Sequence, residues 1–456
     1  MNRQDMSESF SDAQGDARLN PQAIPQAPER EFGSRAKVFV GMSGGVDSSV
    51  AAMLLVEQGF EVIGVYMKNW SEDLPGMKCP WAEDLADAKR VAVKLGIDFE
   101  MWDFEQAYRE KVVEYMLAEF RKGNTPNPDV MCNQEIKFKL FYEKAMAAGA
   151  DFIATGHYAR VGDILQRRGV RSAAARGGAP TTRGDGLAGR DPERSISPTL
   201  FGHTQDCSVE LASLKEQTSI SFRSERNIAF SPAQDPAPVL MRAVDENKDQ
   251  TYFLYRISDE ALSRTIFPIG EMKKPEVKKL AEERGLHNAY KKESMGVCFV
   301  GEVGMKDFLK EYIDAEPGEI REIESERVLG YHEGAIFYTI GQRHGLYLSG
   351  VAGEVNDGMP YYVVKKDVAK NVVYVSKNLN NEELWADRLE LRDVFWRGNT
   401  EKTTEILVRL RHRAPLIPAK FDGKTLFFER KVKRPAAGQS AVLYTGEICL
   451  GGGIIA

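Results

Sequence analysis

The sequence is poor in the residues that define several common classes of protein. Its 456 residues include only five cysteines and six histidines, and no two cysteines form a CxxC pair. Few, scattered cysteines fit a reducing cytosol better than a disulfide scaffold, and the missing CxxC pairs argue against a zinc ribbon. We therefore predict a cytoplasmic protein with no metal site.

Long apolar runs and an excess of positive charge are missing as well. No apolar run approaches the ~18 residues that span a bilayer, so we expect no membrane segment. Residues 1–34 are polar and richer in acids than in bases, unlike targeting signals, and are predicted to be a disordered leader. The net charge of −6 argues weakly against a nucleic-acid partner.

Strand and helix patterns alternate from about Arg35 onward. Short apolar runs predict strands at 37–42, 61–67, 98–102 and 151–155. Helical patterns ending near glycines lie between them, at 50–58, 80–95, 104–122 and 136–148. This alternation predicts an α/β fold with a doubly wound parallel sheet, whose ligands bind at the carboxyl ends of the strands.

The later sequence changes character twice. Residues 161–240 are a low-complexity stretch without periodicity, which predicts a mostly disordered insertion. Asp259–Phe267 and Lys274–Arg284 look helical, and short β-type runs from about Gly318 predict a small β-barrel. The expected divisions are a leader, an α/β domain containing the insertion, a central domain and a C-terminal β-barrel, at 1–34, 35–255, 256–355 and 356–456.

A glycine-rich loop follows the first predicted strand. Its residues are Gly41, Met42, Ser43, Gly44, Gly45, Val46, Asp47 and Ser48. Glycines let backbone N–H groups approach a phosphate, and the start of the next helix adds partial positive charge. Val46 stands where a Walker-type loop needs lysine, so a kinase or GTPase of that type is disfavoured.

Two cysteines lie in settings that suit reactive thiols. Cys132 comes just ahead of the helix predicted from about Ile136, and a helix N-terminus stabilises a thiolate. Asp129, three residues earlier, could act as an acid or base. Cys298 has a nearby glycine that leaves room for access. The other cysteines are expected to be buried and inert; they are Cys79, Cys207 and Cys449.

These motifs resemble those of a known family. SGGVDSS (43–49) resembles the pyrophosphate loop of the ATP pyrophosphatase superfamily, the PP-loop. Further stretches narrow the resemblance to the tRNA-specific 2-thiouridylase family: NTPNPDVMCNQEIKF, TGHYAR, NKDQTYFL, ESMGVCFVG, YTIGQRHGL and GQSAVLYTGEICLGGGII. The similarity extends from about Lys37 to Ile455 and is interrupted by residues 161–240, where the family has a shorter connection.

The resemblance implies a tRNA-uridine 2-sulfurtransferase that thiolates the wobble uridine. In such enzymes ATP adenylates the C2 oxygen, and sulfur from a cysteine persulfide replaces it with release of AMP and pyrophosphate. By this resemblance Cys132 is the nucleophile, Cys298 carries the persulfide and Asp129 is the acid/base. The implied partners are ATP with Mg²⁺, tRNAs of the Lys, Glu and Gln types, and a persulfide donor or cysteine desulfurase relay. The enzyme itself is expected to be a monomer.

The same resemblance assigns binding residues. ATP should contact Gly41–Ser48, Met67 and Gly156. The residues expected to contact tRNA are Asn127, Pro128, Asp129, His157, Lys248, Asp249, Gln250, Arg411, His412 and Gln439.

The local charge of one C-terminal stretch favours RNA binding, although the net charge of the whole chain does not. Residues 396–434 hold eleven Lys and Arg against four Asp and Glu, a local net charge of +7. Arg409, Arg411 and Arg413 alternate with other residues, which on a strand would place all three on one face. Such a face could follow an RNA backbone.

Two other readings stay open at this stage. The chain could be a synthetase that uses the same loop to adenylate a small molecule and then adds an amine; AMP release stimulated by tRNA, and not by small acids, separates the two. It could also be a non-catalytic RNA-binding protein, in which case changing Asp47 or Cys132 would not weaken tRNA binding. The intact loop and both cysteines disfavour that reading.

Overall fold

The structure is a computed structural model that describes residues 35–73, 79–162, 238–292, 304–348, 359–397 and 404–456. All of these belong to one compact unit. The predicted leader, most of the predicted insertion, Cys207 and Cys298 lie outside the described residues.

Five parallel strands form the first sheet, which confirms the predicted α/β fold. The strands run in the order β3 (Asp98–Asp103), β2 (Glu61–Lys68), β1 (Lys37–Gly41), β4 (Phe152–Thr155) and β7 (Thr265–Ile266). On β1, Val38 and Val40 pack into one hydrophobic cluster while Phe39 packs into another. The strand is therefore buried on both faces, as expected for a sheet with helices on both sides.

The helices beside this sheet follow the predicted pattern with two differences. They are α1 (Val46–Glu57), α2 (Trp81–Leu95), α3 (Glu105–Tyr108), α4 (Glu114–Arg121), α5 (Pro128–Met131), α6 (Phe141–Ala147), α7 (Thr251–Leu254), α8 (Asp259–Ser263), α9 (Lys274–Glu283) and α10 (Met305–Lys310). Wider π-helical turns at Arg109–Val113 and Cys132–Leu140 join α3 to α4 and α5 to α6. The helix expected from about Ile136 thus begins at Pro128. The helix expected over 259–267 ends at Ser263, because the next residues pair with β4 as β7.

Six strands near the C-terminus close into a barrel. They are β12 (Trp385–Trp396), β13 (Thr404–Arg409), β14 (Ile417–Phe421), β15 (Thr425–Lys433), β16 (Ser440–Thr445) and β17 (Ile448–Ile455). The ring closes because β17 pairs with both β16 and β12. The hairpin of β5 (Ala159–Gly162) and β6 (Val239–Arg242) extends this sheet through the pairing of Met241 with Ile448.

A separate four-stranded sheet lies between these parts in the sequence. Its order is β10 (Tyr362–Asp367), β11 (Val372–Ser376), β8 (Gly318–Glu322) and β9 (Val328–His332). Ile320, Leu329 and Val373 are fully buried within its own cluster. The short strands from Gly318 therefore form two sheets and not the single barrel expected. The predicted limits of the four divisions of the chain stay predictions.

A buried ion pair fastens the barrel to the α/β part of the chain. Nη1 of Arg409 lies 2.7 Å from Oδ2 of Asp249, and the two residues are 5% and 1% exposed. The same carboxylate accepts a 2.9 Å hydrogen bond from Thr251 Oγ1, which in turn lies 3.1 Å from the Tyr444 hydroxyl. The expectation of three arginines on one strand face is wrong, because β13 ends at Arg409 and this side chain points inward.

No helix in the described segments is long and apolar enough to cross a membrane.

Breaking the Asp249–Arg409 pair should destabilise the protein. Arg409→Met leaves a buried carboxylate short of one positive partner, and we expect a loss of about 3 kcal/mol in the free energy of unfolding. Calorimetry and urea titration would measure it. The matched control is Lys424→Ala, which removes the ion pair between Lys424 and Glu390. These two side chains are 71% and 62% exposed, so the variant should lose under about 1 kcal/mol in the free energy of unfolding. Equal losses in the two variants would contradict the assigned role of Arg409.

Candidate active site

The glycine-rich loop connects the carboxyl end of β1 to the start of α1. Within it the Ser48 hydroxyl donates to the Gly45 carbonyl at 3.1 Å and accepts from the Ser43 N–H at 3.2 Å. The Ser43 side chain is exposed, whereas the side chains of Met42 and Val46 are buried. These last two residues can therefore offer a ligand their backbone atoms only, and Ser43 marks the open side of the loop.

Gly156, at the end of β4, lies directly against the start of α1. A Cβ atom at this position would stand 2.5 Å from the Ser48 nitrogen, closer than real Cβ contacts allow. Gly41 is similarly close to Met67, whose Cε would lie 2.8 Å from a Cβ at Gly41. The structure thus gathers the predicted ATP contacts of β1, β2 and β4 at the carboxyl edge of the sheet, as the parallel strand order requires.

Asp47 in the first turn of α1 is held by a lysine that the sequence did not single out. Nζ of Lys274, at the start of α9, lies 2.7 and 2.8 Å from the two carboxylate oxygens of Asp47. The Tyr158 hydroxyl donates to the same carboxylate at 3.0 Å. Lys274 was missed because a lysine at a helix start usually faces solvent, and only its burial in the fold reveals the pair.

Asp129 and Cys132 lie one turn apart in the helical run that starts at Pro128. Cys132 is only 2% exposed and begins the π-helical turn, in which the Phe141 N–H bonds to the Ile136 carbonyl. The expectation that Cys132 precedes the helix is wrong: the N-terminus of this run lies nearer Asp129. Turns of this π type are frequent at functional sites.

Electrostatics links this helical run to His157 at the end of β4. Burial raises the pKa of Asp129, and the charge of Lys137 opposes that shift. Burial and the same Lys137 charge hold the pKa of His157 well below its usual range, so its ring is neutral at pH 7. The ring centroid of His157 lies 5.8 Å from that of Phe138, and its Nδ1 lies 2.8 Å from Thr155 Oγ1.

The segment before Asp129 contacts two other parts of the fold. The Thr125 N–H donates to the Ala437 carbonyl at 2.7 Å, and Gln439 Nε2 donates to the Thr125 carbonyl at 2.8 Å. The Thr125 hydroxyl lies 3.4 Å from the Thr339 hydroxyl. The predicted target-base segment Asn127–Asp129 therefore begins where the barrel and the region of the four-stranded sheet meet the α/β domain.

The remaining predicted tRNA contacts differ widely in exposure. Arg411 is exposed in the turn after β13, and the half-buried His412 ring lies 4.5 Å from the Phe253 ring. Gln250 accepts a hydrogen bond from the Tyr158 N–H at 2.8 Å, and Lys248 is half-buried. The burial of Asp249, together with its ion pair, argues against a direct tRNA contact at that residue.

The two other described cysteines are buried, as expected. Cys79 is 7% exposed, and burial raises the pKa of Cys449 to about 12. Cys449 is therefore a protonated thiol at neutral pH and is no candidate nucleophile. Among the described residues, no group of three or more His, Cys, Asp or Glu side chains is arranged to hold a metal ion.

Family models match three successive parts of the chain. The "tRNA methyl transferase HUP domain" matches residues 36–176 and 225–302, the "tRNA methyl transferase PRC-barrel domain" matches 306–377, and the "Aminomethyltransferase beta-barrel domain" matches 386–455. The chain is thus one of the proteins that join a HUP-type α/β domain to a PRC-barrel and a C-terminal β-barrel.

Curated relatives define the family more narrowly. The tRNA-specific 2-thiouridylase MnmA of Idiomarina loihiensis is 40% identical over 427 residues, which cover 92% of this chain and 95% of the relative. The protein of the same name from Levilactobacillus brevis is 38% identical and covers 92% and 96%. The chain belongs to the tRNA-specific 2-thiouridylase family, as the sequence motifs predicted.

Solved structures match a smaller part of the chain. NMN synthetase from Francisella tularensis covers 26% of this chain and 44% of its own, at 20% identity and a TM-score of 0.19. An NH3-dependent NAD synthetase from Campylobacter jejuni covers 26% and 45%, at 20% identity and a TM-score of 0.18. The fold class therefore rests on the strand order and the family models and not on these overlaps.

His412 should make the stability of the protein depend on pH. Burial lowers its pKa from 6.5 to about 4, with Arg413 and Arg409 adding to the shift. Between these pH values the unfolded chain binds a proton at His412 that the folded chain does not, so stability falls as the pH drops through this window. We expect His412→Gln to flatten the dependence of the unfolding free energy on pH between about 6.5 and 4. An unchanged slope would show that His412 is already protonated in the fold.

Proposed function

We propose that the protein is an ATP-dependent sulfurtransferase that 2-thiolates the wobble uridine of tRNA in the cytoplasm. One observation carries this proposal: the phosphate loop and the cysteine-bearing helix meet at two consecutive residues. Gly156 lies against Ser48 of the loop, and His157 packs on Phe138 in the helical run of Cys132. A nucleotide at the loop would therefore lie near the helical run that carries the thiol.

The nucleotide half of the site fits ATP. The backbone from Gly41 to Ser48 would surround the phosphates, with the Ser43 hydroxyl on the open side. Met67, half-buried beside Gly41, is placed to contact the adenine, and Gly156 lets the end of β4 lie directly against the loop. In this proposal Mg²⁺ arrives with the ATP phosphates, and Asp47 is the loop carboxylate that could reach it, since hard oxygen ligands suit this ion.

The RNA half of the site combines several parts of the fold. The target base, flipped out of the anticodon stack, would approach Asn127, Pro128 and Asp129, with His157 beside it. The other proposed contacts are Lys248, Gln250, Arg411, His412 and Gln439, which lie on the α/β side and on the barrel. We assign Asp249 the separate task of fixing the barrel relative to Lys248 and Gln250 through Arg409.

The proposed chemistry has two stages. The uridine C2 oxygen attacks the α-phosphate of ATP and expels pyrophosphate, which turns a poor leaving group into an adenylate. The terminal sulfur of a persulfide on Cys298 then attacks C2, and AMP leaves. The Cys132 thiolate attacks the inner sulfur and forms a disulfide with Cys298, which releases the thiocarbonyl. Asp129 would accept the N3 proton that the uridine loses when its C2 oxygen attacks the α-phosphate. A reductant would then reopen the disulfide, and a persulfide donor would reload Cys298 of the monomer for the next cycle.

Thiolation of anticodon stem-loops tests this proposal. The wild-type chain, given ATP and a persulfide donor, should replace one oxygen by sulfur at the wobble uridine of Lys-, Glu- or Gln-type stem-loops, seen by mass spectrometry. Cys132→Ala should abolish the gain of sulfur. Cys449→Ala is the matched control, because this thiol is equally buried and has a pKa of about 12.

Two outcomes would remove the central claim. One is the absence of sulfur gain with every stem-loop tested, despite ATP binding. The other is AMP release stimulated by small carboxylic acids and not by stem-loops, which would instead indicate an amide-forming synthetase.

Asp129 should matter for chemistry and not for ATP binding. Asp129→Asn removes the acid/base group, and we expect the single-turnover rate at neutral pH to fall at least ~100-fold, as general acid–base catalysis typically contributes. The KM for ATP should be unchanged. Glu135→Gln, in the same helical run, removes a carboxylate paired with Lys139 at 3.3 Å and should keep the wild-type rate. Equal rates for the two variants would rule out acid/base work by Asp129.

A further inference from the structure

The turn that follows α9 packs behind the phosphate loop. Nδ2 of Asn288 donates to the Gly44 carbonyl and to the Ser49 hydroxyl, both at 2.9 Å. Asn288 is 3% exposed and stands 244 positions from Gly44 in the sequence. No sequence motif that we recognised includes this residue.

The second hydrogen bond passes on to the next carbonyl. Because the Ser49 oxygen accepts from Asn288, its own hydrogen is available, and it donates to the Gly45 carbonyl at 2.9 Å. Ser48 donates to the same carbonyl at 3.1 Å. Asn288 thus holds the Gly44 carbonyl directly and the Gly45 carbonyl through Ser49, whose backbone N–H also donates to the Gly45 carbonyl at 3.3 Å at the start of α1.

Fixing these carbonyls also fixes the N–H groups that follow them. In a trans peptide the C=O and the N–H point in opposite directions. An inward Gly44 carbonyl therefore turns the Gly45 N–H outward, and an inward Gly45 carbonyl does the same for Val46. The Gly45 N–H indeed lies on the side of the exposed Ser43 hydroxyl, 3.4 Å from its oxygen. Successive outward N–H groups form the concave arrangement that binds anions.

The orientation of the Asn288 amide is determined by its neighbours. A rotated amide would place its oxygen against the Gly44 carbonyl oxygen, and two acceptors repel each other. The observed orientation leaves Oδ1 buried with no hydrogen-bond partner among the described residues. An unsatisfied buried acceptor costs free energy. In exchange, both N–H groups of the Asn288 amide donate hydrogen bonds to Gly44 and Ser49.

The turn itself is held firmly to α2. Nζ of Lys291 lies 2.7 Å from an Asp84 oxygen and 2.5 Å from an Asp87 oxygen. His287 Nε2 lies 3.2 Å from Asp87. Contacts on both sides of Asn288 therefore keep its amide in place.

We propose that Asn288 is a positioning residue for the phosphate loop: by holding the Gly44 and Gly45 carbonyls inward, it turns the following N–H groups toward the triphosphate. This inference rests on the proposed function, because it assumes that ATP binds at the loop. It assigns Asn288 to ATP binding and to no step that involves tRNA.

Kinetics with two substrates tests the assignment. Asn288→Ala should raise the KM for ATP about tenfold, the loss expected for one well-placed hydrogen-bond network, with the KM for the stem-loop unchanged. Asn288→Asp keeps the shape but presents an acceptor to the Gly44 carbonyl and a negative charge to the phosphates, so it should be worse than alanine. The matched control is Lys279→Ala on α9, which removes an ion pair to Glu283 at 3.7 Å; the two side chains are 77% and 53% exposed. This variant should bind ATP like the wild type.

A double-mutant cycle distinguishes positioning from general destabilisation. Ser49→Ala breaks the second half of the network and should raise the KM for ATP about threefold. Adding Asn288→Ala to it should cost less than the two separate effects combined, because both act through Gly45. If Asn288→Ala does not fold, the comparison of Ser49→Ala with Lys279→Ala tests the inference.

The outcomes separate this inference from the proposed function. An unchanged KM for ATP in Asn288→Ala, or an equal rise in the KM for both substrates, overturns the positioning role alone. ATP titration by calorimetry gives the same readout without thiolation. A wild-type chain that binds no ATP would overturn the proposed function, and the inference with it.

Discussion

The close approach of strand β4 to helix α1 is the constraint on which the site depends. At Gly156 there is no room for even a Cβ atom, because the Ser48 nitrogen would lie 2.5 Å away. The next residue, His157, turns to the opposite side and packs on the helical run that carries Cys132. A single strand end thus connects the glycine-rich loop to the helical run that carries Cys132.

Buried polar contacts extend from this point in both directions. Asp47 is tied to Lys274 and Tyr158, and the Tyr158 N–H is tied to Gln250. The neighbouring Asp249 holds Arg409 of the barrel. Each contact is buried or half-buried, where an unpaired charge would be costly. The C-terminal barrel and the glycine-rich loop are therefore parts of one continuous polar framework.

Much of the fold followed from local patterns. Alternating strands and helices predicted the parallel sheet, and glycines after helices marked their ends, as Gly96 does with its φ of 65° after α2. Two of the predictions that were wrong failed for different reasons, one because of a distant partner and one because of a short local run. Arg409 looked like part of an exposed stripe because its buried partner, Asp249, lies 160 positions away. The helix of Cys132 was started too late because the run Pro128–Met131 is too short for a periodic pattern to appear.

The sequence alone determined the family and the parallel α/β class, because these depend on short motifs and local patterns. Only the tertiary structure decided that Asp249 is buried, that Lys274 pairs with Asp47 and that Asn288 supports the loop from 244 positions away. Side chains such as these have no distinctive neighbours in sequence. Their roles arise from packing, which brings distant polar groups together where water is excluded and each must find a partner.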